Sequence, residues 1–115
     1  MNPYVKFDDV EWEELLPGFR RKIIGYQSDL MLIRVEFKSG IEFPPHQHPH
    51  QQITHILEGR FMANIDGEKM ELGPGDSYVV PGNVPHALKC INKGSAIDVF
   101  SPLREDFFEK QEKDY

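Results

Sequence analysis

Cysteine is nearly absent from this chain of 115 residues, and long apolar runs are absent altogether. The one cysteine, Cys90, excludes an internal disulfide and any zinc or iron–sulfur site built from several cysteines. The apolar runs extend over only a few residues, so we expect no membrane-spanning segment. Residues 1–14 lack the basic flank and apolar stretch of a signal peptide, which makes a cytoplasmic protein the expectation.

Basic residues are fewer than acidic ones, 13 against 19, and the net charge at pH 7 is -6. The acidity lies at the two ends, with -4 over residues 1–14 and -3 over residues 105–115, while the segment between them carries +1. No basic stripe is present, so nucleic-acid binding is not expected. The nearly neutral central segment remains compatible with a small anionic substrate.

Uninterrupted helix-forming sequence is rare as well, because nine prolines and nine glycines disfavour a helical bundle. Residues 30–38 instead alternate with period two, with Ile33, Val35 and Phe37 on one face, which predicts a half-buried strand. Asp66-Gly67 predicts a tight hairpin, and Glu58-Gly59 and Lys93-Gly94 predict further turns. Shorter strand-like runs occupy residues 21–27, 52–59, 60–65, 69–72, 77–80, 86–91 and 96–100.

This pattern of about eight short strands predicts an all-β antiparallel sandwich or barrel. Only residues 104–115 have helix-forming composition, with acids early and lysines late as the helix dipole favours. A short helix and a frayed acidic tail remain open as alternatives for this end of the chain.

Four of the five histidines lie within ten positions. His46 and His48 are two residues apart, so on a strand they project from one face and can bind a single metal ion. His86, which follows a turn far along the chain, offers a third imidazole, and three imidazoles with one oxygen donor form a metal site with open positions. Spacing alone supports solvated loop histidines equally well.

The alternation along residues 52–57 separates an inward from an outward face. Gln52 and Thr54 share one face, so Thr54 is expected to contact a bound substrate, whereas His55 is expected to be structural or exposed. His50, in the intervening loop, could support a ligand. Cys90 is expected to be a buried, inert thiol.

Asp98 and Phe100 share strand parity near the end of the predicted barrel. An inward Asp98 must be paired, protonated or in a cavity, because burying it as an unpaired ion costs several kcal/mol; an exposed edge position is the alternative. Arg104 can clamp a carboxylate through two parallel hydrogen bonds, or it can pair with Glu105 or Asp106.

Two motifs in this sequence resemble those of the cupins. The first reads Gly40, five residues, His46-x-His48, three residues, Gln52, six residues, Gly59, and the second reads Gly75, five residues, Pro81-x-Asn83, two residues, His86. The resemblance implies one cupin domain over residues 1–115, with a jelly-roll (double-stranded β-helix) barrel core over approximately residues 20–102 and a short C-terminal helical or tail segment. It also implies one divalent transition metal and a homodimer.

Three positions depart from the usual cupin pattern. Gln52 replaces a frequent glutamate ligand, which leaves the metal one unit more positive and favours an anionic ligand and Lewis-acid or proton-transfer chemistry. Asn83 replaces the usual glycine and also tolerates a left-handed backbone. Cys90 replaces a frequent asparagine.

Asp98-x-Phe100-x-x-x-Arg104, together with the His46-x-His48 pair and Gln52, resembles one group of small cupins. These act in pectin and alginate catabolism and linearise 4,5-unsaturated uronates. The resemblance implies a metal ion, which could be Zn, Ni, Fe, Mn or Co, held by His46, His48, Gln52 and His86. It also implies that Asp98 and Arg104 are catalytic and that Phe100 and Arg104 bind a small anionic sugar. A cupin dioxygenase and a non-enzymatic metal- or sugar-binding cupin are the alternatives.

Overall fold

A computed structural model describes residues 2–109, and these form eight β-strands and two short 3-10 helices. The strands are β1 (Glu13–Leu16), β2 (Phe19–Gln27), β3 (Leu30–Phe37), β4 (Glu42–His46), β5 (Gln51–Ile65), β6 (Glu68–Leu72), β7 (Ser77–Val80) and β8 (His86–Ser101). The 3-10 helices are Phe7–Asp9 and Glu105–Glu109. No helix among residues 2–109 has the length and apolar character needed to cross a membrane.

The two long strands, β5 and β8, pair antiparallel along most of their length and organise the others. The first part of β5 and the last part of β8 continue into β7 on one side and into β3, β2 and β1 on the other. The last part of β5 and the first part of β8 continue into β6 and β4. The predicted all-β jelly-roll barrel is therefore confirmed.

The turns predicted at Glu58-Gly59 and Lys93-Gly94 are wrong, because both glycines lie inside continuous strands. At this point β5 and β8 cross closely and their register shifts through bulges. Gly59 has a φ of +88°, and a Cβ there would lie 2.6 Å from the carbonyl oxygen of Asn92. Glycine thus permits a bulge and a close approach where the sequence pattern predicted a chain reversal.

The hairpin predicted at Asp66-Gly67 is confirmed between β5 and β6, where Ile65 pairs with Glu68. Both turn residues have positive φ, 54° for Asp66 and 87° for Gly67, as a type I′ turn requires.

Strands β1 and β4 were not predicted. In β4, Pro44 and Pro45 obscure the strand pattern, since proline cannot donate a ladder hydrogen bond. The strand tolerates them because it pairs with β8 alone among the described strands, and the register breaks between Phe43 and His46. This short edge strand ends at the first histidine of the cluster.

The apolar core fills one part of the barrel interior. The predicted inward face of β3 is confirmed, and Ile33, Val35 and Phe37 are buried. The Phe37 ring lies 5.0 Å from that of Phe19 and 5.1 Å from that of Phe61, centroid to centroid. Each such side chain stabilises the fold by about 1.5–3 kcal/mol on burial. Cys90 is buried in the same core, where burial raises the pKa of its thiol.

At the C-terminal end, a helix and a tail were both open for residues 104–115. The structure shows a five-residue 3-10 helix, Glu105–Glu109, whose Phe107 packs on the core. Residues 110–115 lie outside the described residues.

Candidate metal centre

Three histidines from separate positions in the fold meet at one end of the barrel. His46 ends β4, His48 follows in the next loop, and His86 begins β8 directly opposite His46. One ring nitrogen from each lies within 4.8 Å of those of the other two. The three histidines predicted as metal ligands are thus brought together.

The hydrogen bonds of the three rings fix which nitrogen faces the centre. Each Nδ1 lies against a backbone carbonyl oxygen, which can only accept, so Nδ1 carries the proton and Nε2 keeps its lone pair. The Nδ1–O distances are 3.0 Å from His46 to Pro44, 3.0 Å from His48 to His50 and 2.9 Å from His86 to Val84. This arrangement presents Nε2 donors to a metal ion and orients the rings as ligating histidines require.

Two of the rings, those of His48 and His86, are also shifted toward the neutral form that metal binding needs. Burial lowers the pKa of His48 to about 4, and the charges of Arg104 and His86 reinforce the shift. Burial likewise lowers the pKa of His86. The His86 Nε2 atom is buried and has no hydrogen-bond partner among the described residues. A divalent cation would satisfy this lone pair, whose unpaired burial otherwise costs about 1–3 kcal/mol.

Gln52 places an amide oxygen beside the imidazole of His48. It is buried on the inward face of β5, with Oε1 3.2 Å from Nε2 of His48. Its amide nitrogen donates to Oγ1 of Thr54 at 2.9 Å, so the amide oxygen faces the ring. Two lone pairs that face each other at this distance fit a shared cation, and the four residues fit one transition metal ion.

Asp98 lies inside the barrel beside this centre and is only 2% exposed, so the exposed edge alternative is wrong. Its Oδ1 accepts a hydrogen bond from the Thr54 hydroxyl at 2.6 Å. A line of contacts therefore runs from His48 through Gln52 and Thr54 to Asp98.

Tyr78 is a site residue that the sequence analysis missed. It pairs with Thr54 across β7 and β5, and its phenol interacts with the Thr54 side chain. Burial raises the pKa of the Tyr78 phenol, and the nearby Asp98 carboxyl reinforces the rise, so the phenol stays protonated. With His46, His86 and Asp98 it lines a cavity of about 20 Å³. The sequence offers one indication of this position, because Tyr78 lies two residues from buried Val80 and shares its inward face of the strand.

Arg104 is buried at a second, larger cavity of about 640 Å³ that His48 and His50 also line. Its Nε and Nη2 atoms donate to the two carboxylate oxygens of Asp106, at 3.0 and 2.8 Å. Of the two alternatives for this guanidinium, the structure thus shows the pair with Asp106, buried on the arginine side rather than on the surface.

Two aromatic rings border this guanidinium. The Phe107 ring centroid lies 4.4 Å from the Arg104 guanidinium carbon, and that of Phe100 lies 5.2 Å away. Phe100 also packs edge-on against the His48 ring at 5.9 Å, so it forms an apolar wall between Arg104 and the histidines.

The remaining residues of the histidine region have supporting or peripheral positions. His55 is exposed on the outer face, which confirms its predicted surface position, and its Nδ1 is hydrogen-bonded to the Ser77 hydroxyl. His50 contributes its backbone carbonyl to His48. Asn83 adopts the expected left-handed conformation, with φ 65°, and its backbone N–H donates to the His48 carbonyl at 2.7 Å.

Fold and site together define a jelly-roll barrel protein with a cluster of three histidines inside one end of the barrel. The family model described as "Cupin domain" matches residues 33–100, which is more than half of the chain. This protein belongs to the cupin family.

The chain is similar to several individual cupins over most of its length. It is 42% identical over 109 residues to the pectin degradation protein KdgF of Dickeya dadantii strain 3937, covering 93% of this chain and 99% of the relative. The solved structure of KdgF from Halomonas sp. matches with a TM-score of 0.87 and 36% identity, covering 93% of this chain and 99% of the other. An RmlC-like cupin from Shewanella frigidimarina matches with a TM-score of 0.89 and 36% identity, covering 93% and 96%.

Proposed function

We propose that this protein is a metal-dependent enzyme that opens the ring of 4,5-unsaturated uronate monosaccharides to the 5-keto-4-deoxyuronate, in the breakdown of pectin or alginate. The observation that carries the proposal is the line of contacts from His48 through Gln52 and Thr54 to Asp98, which sets a buried carboxyl group beside a metal centre. Similarity to the pectin degradation protein KdgF over almost the whole chain supports the substrate class.

The substrate is a cyclic enol ether that carries a carboxylate and an anomeric hemiacetal. When the anomeric hydroxyl loses its proton, a C1 carbonyl forms and the bond from C1 to the ring oxygen breaks. The electron pair moves to the oxygen on C5, and the resulting enolate becomes a ketone when C4 gains a proton. The reaction is an isomerisation, so one group that accepts a proton and returns one balances it. Asp98 has this role in our proposal.

His46, His48, Gln52 and His86 would hold the metal ion. When bound, the ion supplies Lewis-acid polarisation of substrate oxygens. Imidazole and amide ligands suit Zn, Ni, Fe, Mn or Co, and all four ligands are neutral. The ion's full positive charge thus attracts an anionic sugar, and Gln52 favours proton transfer over dioxygenase chemistry.

Arg104 would bind the carboxylate of the sugar, with Asp106 fixing the plane of its guanidinium from the solvent side. The Asp106 side chain is 43% exposed, whereas that of Arg104 is 3% exposed, so the guanidinium faces the cavity interior. Phe100 would supply the apolar wall that keeps water from the reacting atoms.

The test is incubation of the metal-loaded protein with lyase-derived 4,5-unsaturated galacturonate or mannuronate. We expect the double-bond absorbance to decay faster than without protein and faster than with the Asp98→Asn variant. Decay at the uncatalysed rate would overturn the proposal. Tight uronate binding without turnover would instead identify a binding module, and oxygen consumption by iron-loaded protein would identify a dioxygenase.

We further propose that two copies of the chain form a homodimer, as the cupin resemblance implies. Leu32, Ile53 and Val79 form an exposed apolar row across neighbouring strands of the outer face, with Val99 between the first two. A second copy would cover this row. Sedimentation analysis should show a dimer that Ile53→Glu converts to a monomer. The expected cytoplasmic location stays a prediction.

A further inference from the structure

The hydroxyl group of Thr54 is the meeting point of a metal ligand, an acid–base group and a tyrosine. Gln52 donates to it at 2.9 Å and Asp98 accepts from it at 2.6 Å, and the Tyr78 phenol interacts with the Thr54 side chain from the neighbouring strand. Thr54 is 1% exposed, and Gln52 and Asp98 are buried beside it. None of these contacts depends on a bound ion or substrate.

The directions of these hydrogen bonds follow from what each group can do. A threonine hydroxyl has one proton and two lone pairs, and a carboxylate can only accept. The Thr54 proton therefore points to Asp98, and a lone pair of the same oxygen accepts from the Gln52 amide. These two bonds fix the orientation of the hydroxyl. The substrate contact expected for Thr54 from parity stays a prediction.

We propose that Thr54 and Tyr78 are positioning residues of the reaction, which together orient the ligand Gln52 and the proton-transfer group Asp98 through one hydroxyl oxygen. The inference rests on the proposed function for its kinetic part, but its metal-binding part is independent of the substrate.

The physical consequence of losing the hydroxyl differs at the two ends of the line. Without an acceptor at Thr54, the Gln52 amide can rotate by half a turn and present its NH₂ group, which cannot ligate a metal ion. Asp98 at the same time loses a short hydrogen bond that restricts its rotation. Tyr78 acts one step further away, because its phenol interacts with the Thr54 side chain from the paired position on β7.

Three variants separate these effects. Thr54→Val keeps the side-chain shape and removes the hydroxyl, Thr54→Ser keeps the hydroxyl, and Tyr78→Phe removes only the phenol oxygen. Zinc affinity is measured by competition with a chelating dye in the absence of substrate. Steady-state kcat and KM are measured on the unsaturated uronate, and thermal melting reports the fold of each variant.

For Thr54→Val we expect zinc affinity and kcat each to fall by about 10- to 100-fold, the usual effect of removing a group that orients a metal ligand. KM should change little. Thr54→Ser keeps the hydroxyl, so both values should stay within about 3-fold of the parent. Tyr78→Phe should lower kcat by about 3- to 10-fold, because it removes the polar contact between the phenol and the Thr54 side chain.

Parent-like zinc affinity and kcat in Thr54→Val would overturn the inference, as would a serine variant as impaired as the valine variant. If Thr54→Val does not fold, Tyr78→Phe decides, and unchanged kcat in that variant would overturn the inference. A purely structural role would lower the melting temperature without changing zinc affinity. If the parent protein does not turn over the uronate, the proposed function fails, while the zinc measurements still test the positioning of Gln52.

Discussion

The two halves of the barrel interior are lined by the same strands, but one half is polar and the other is apolar. Along β5, the inward side chains change from Gln52 and Thr54 at one end to Ile56 and Phe61 further on. The apolar half gains stability from area removed from water. In the polar half, linked side-chain hydrogen bonds pair Gln52, Thr54 and Asp98, while Nε2 of His86 has no partner among the described residues.

This difference indicates which substitutions should lower stability and which should lower activity. In the apolar half, a deleted side chain leaves a cavity and weakens the whole fold. In the polar half, a changed side chain breaks a link between the histidines and Asp98, while the core around Phe37 stays packed. Substitutions in the two halves should therefore separate stability from activity.

The largest expected effect is that of Asp98→Asn on turnover. Asparagine can still accept the hydrogen bond from Thr54, but it cannot take up and return a proton, so kcat on the unsaturated uronate should fall by about 10²- to 10⁴-fold. The melting temperature should change little. The same chemical change at the exposed turn residue, Asp66→Asn, is the matched control and should leave kcat unaltered. Turnover by Asp98→Asn at the parent rate would remove Asp98 from the mechanism.

In the apolar half, Phe61→Ala should lower the free energy of unfolding by about 3–5 kcal/mol, because its fully buried ring leaves a cavity. Denaturant titration measures the change, and zinc affinity of the folded protein should stay near that of the parent. Phe108→Ala, at a ring that is 44% exposed, serves as control and should cost far less. Equal losses in the two variants would show that the core is not centred where we place it.

A moderate effect is expected for Arg104→Lys. Lysine keeps the charge but loses the two-pronged geometry, so KM for the uronate should rise by about 10-fold with kcat nearly unchanged. Arg60→Lys is the control, since Arg60 makes a comparable pair with Glu71 on the exposed surface. A KM for Arg104→Lys equal to that of this control would argue against carboxylate binding at Arg104.

The smallest effect is predicted for His55→Ala, which removes an imidazole on the outer face. Its bond to Ser77 is exposed, so stability should change by no more than about 0.5 kcal/mol and metal content should remain as in the parent. Loss of metal in this variant would contradict our assignment of the inner histidines as ligands and of His55 as a residue that does not bind the metal.

Much of the candidate metal centre could be predicted from sequence because it depends on local spacing. The two-residue separation of His46 and His48 and the parity of Gln52 survive folding, since both follow from strand geometry. Tyr78 escaped notice because its role depends on the register between β7 and β5. The sequence predicts turns at Gly59 and Gly94, where the structure has bulges. A glycine that permits a close strand crossing cannot be distinguished by sequence from one that ends a strand.

The most direct test of the account is elemental analysis of the purified protein beside its His86→Ala variant. We propose that the polar half holds a metal ion, and the buried Nε2 atom of His86 lacks a hydrogen-bond partner among the described residues. We predict about one divalent transition metal ion per chain in the parent and a loss of most of it in the variant, which retains only two imidazoles and Gln52. A parent protein that binds no transition metal, or a variant that binds as much as the parent, would contradict the account.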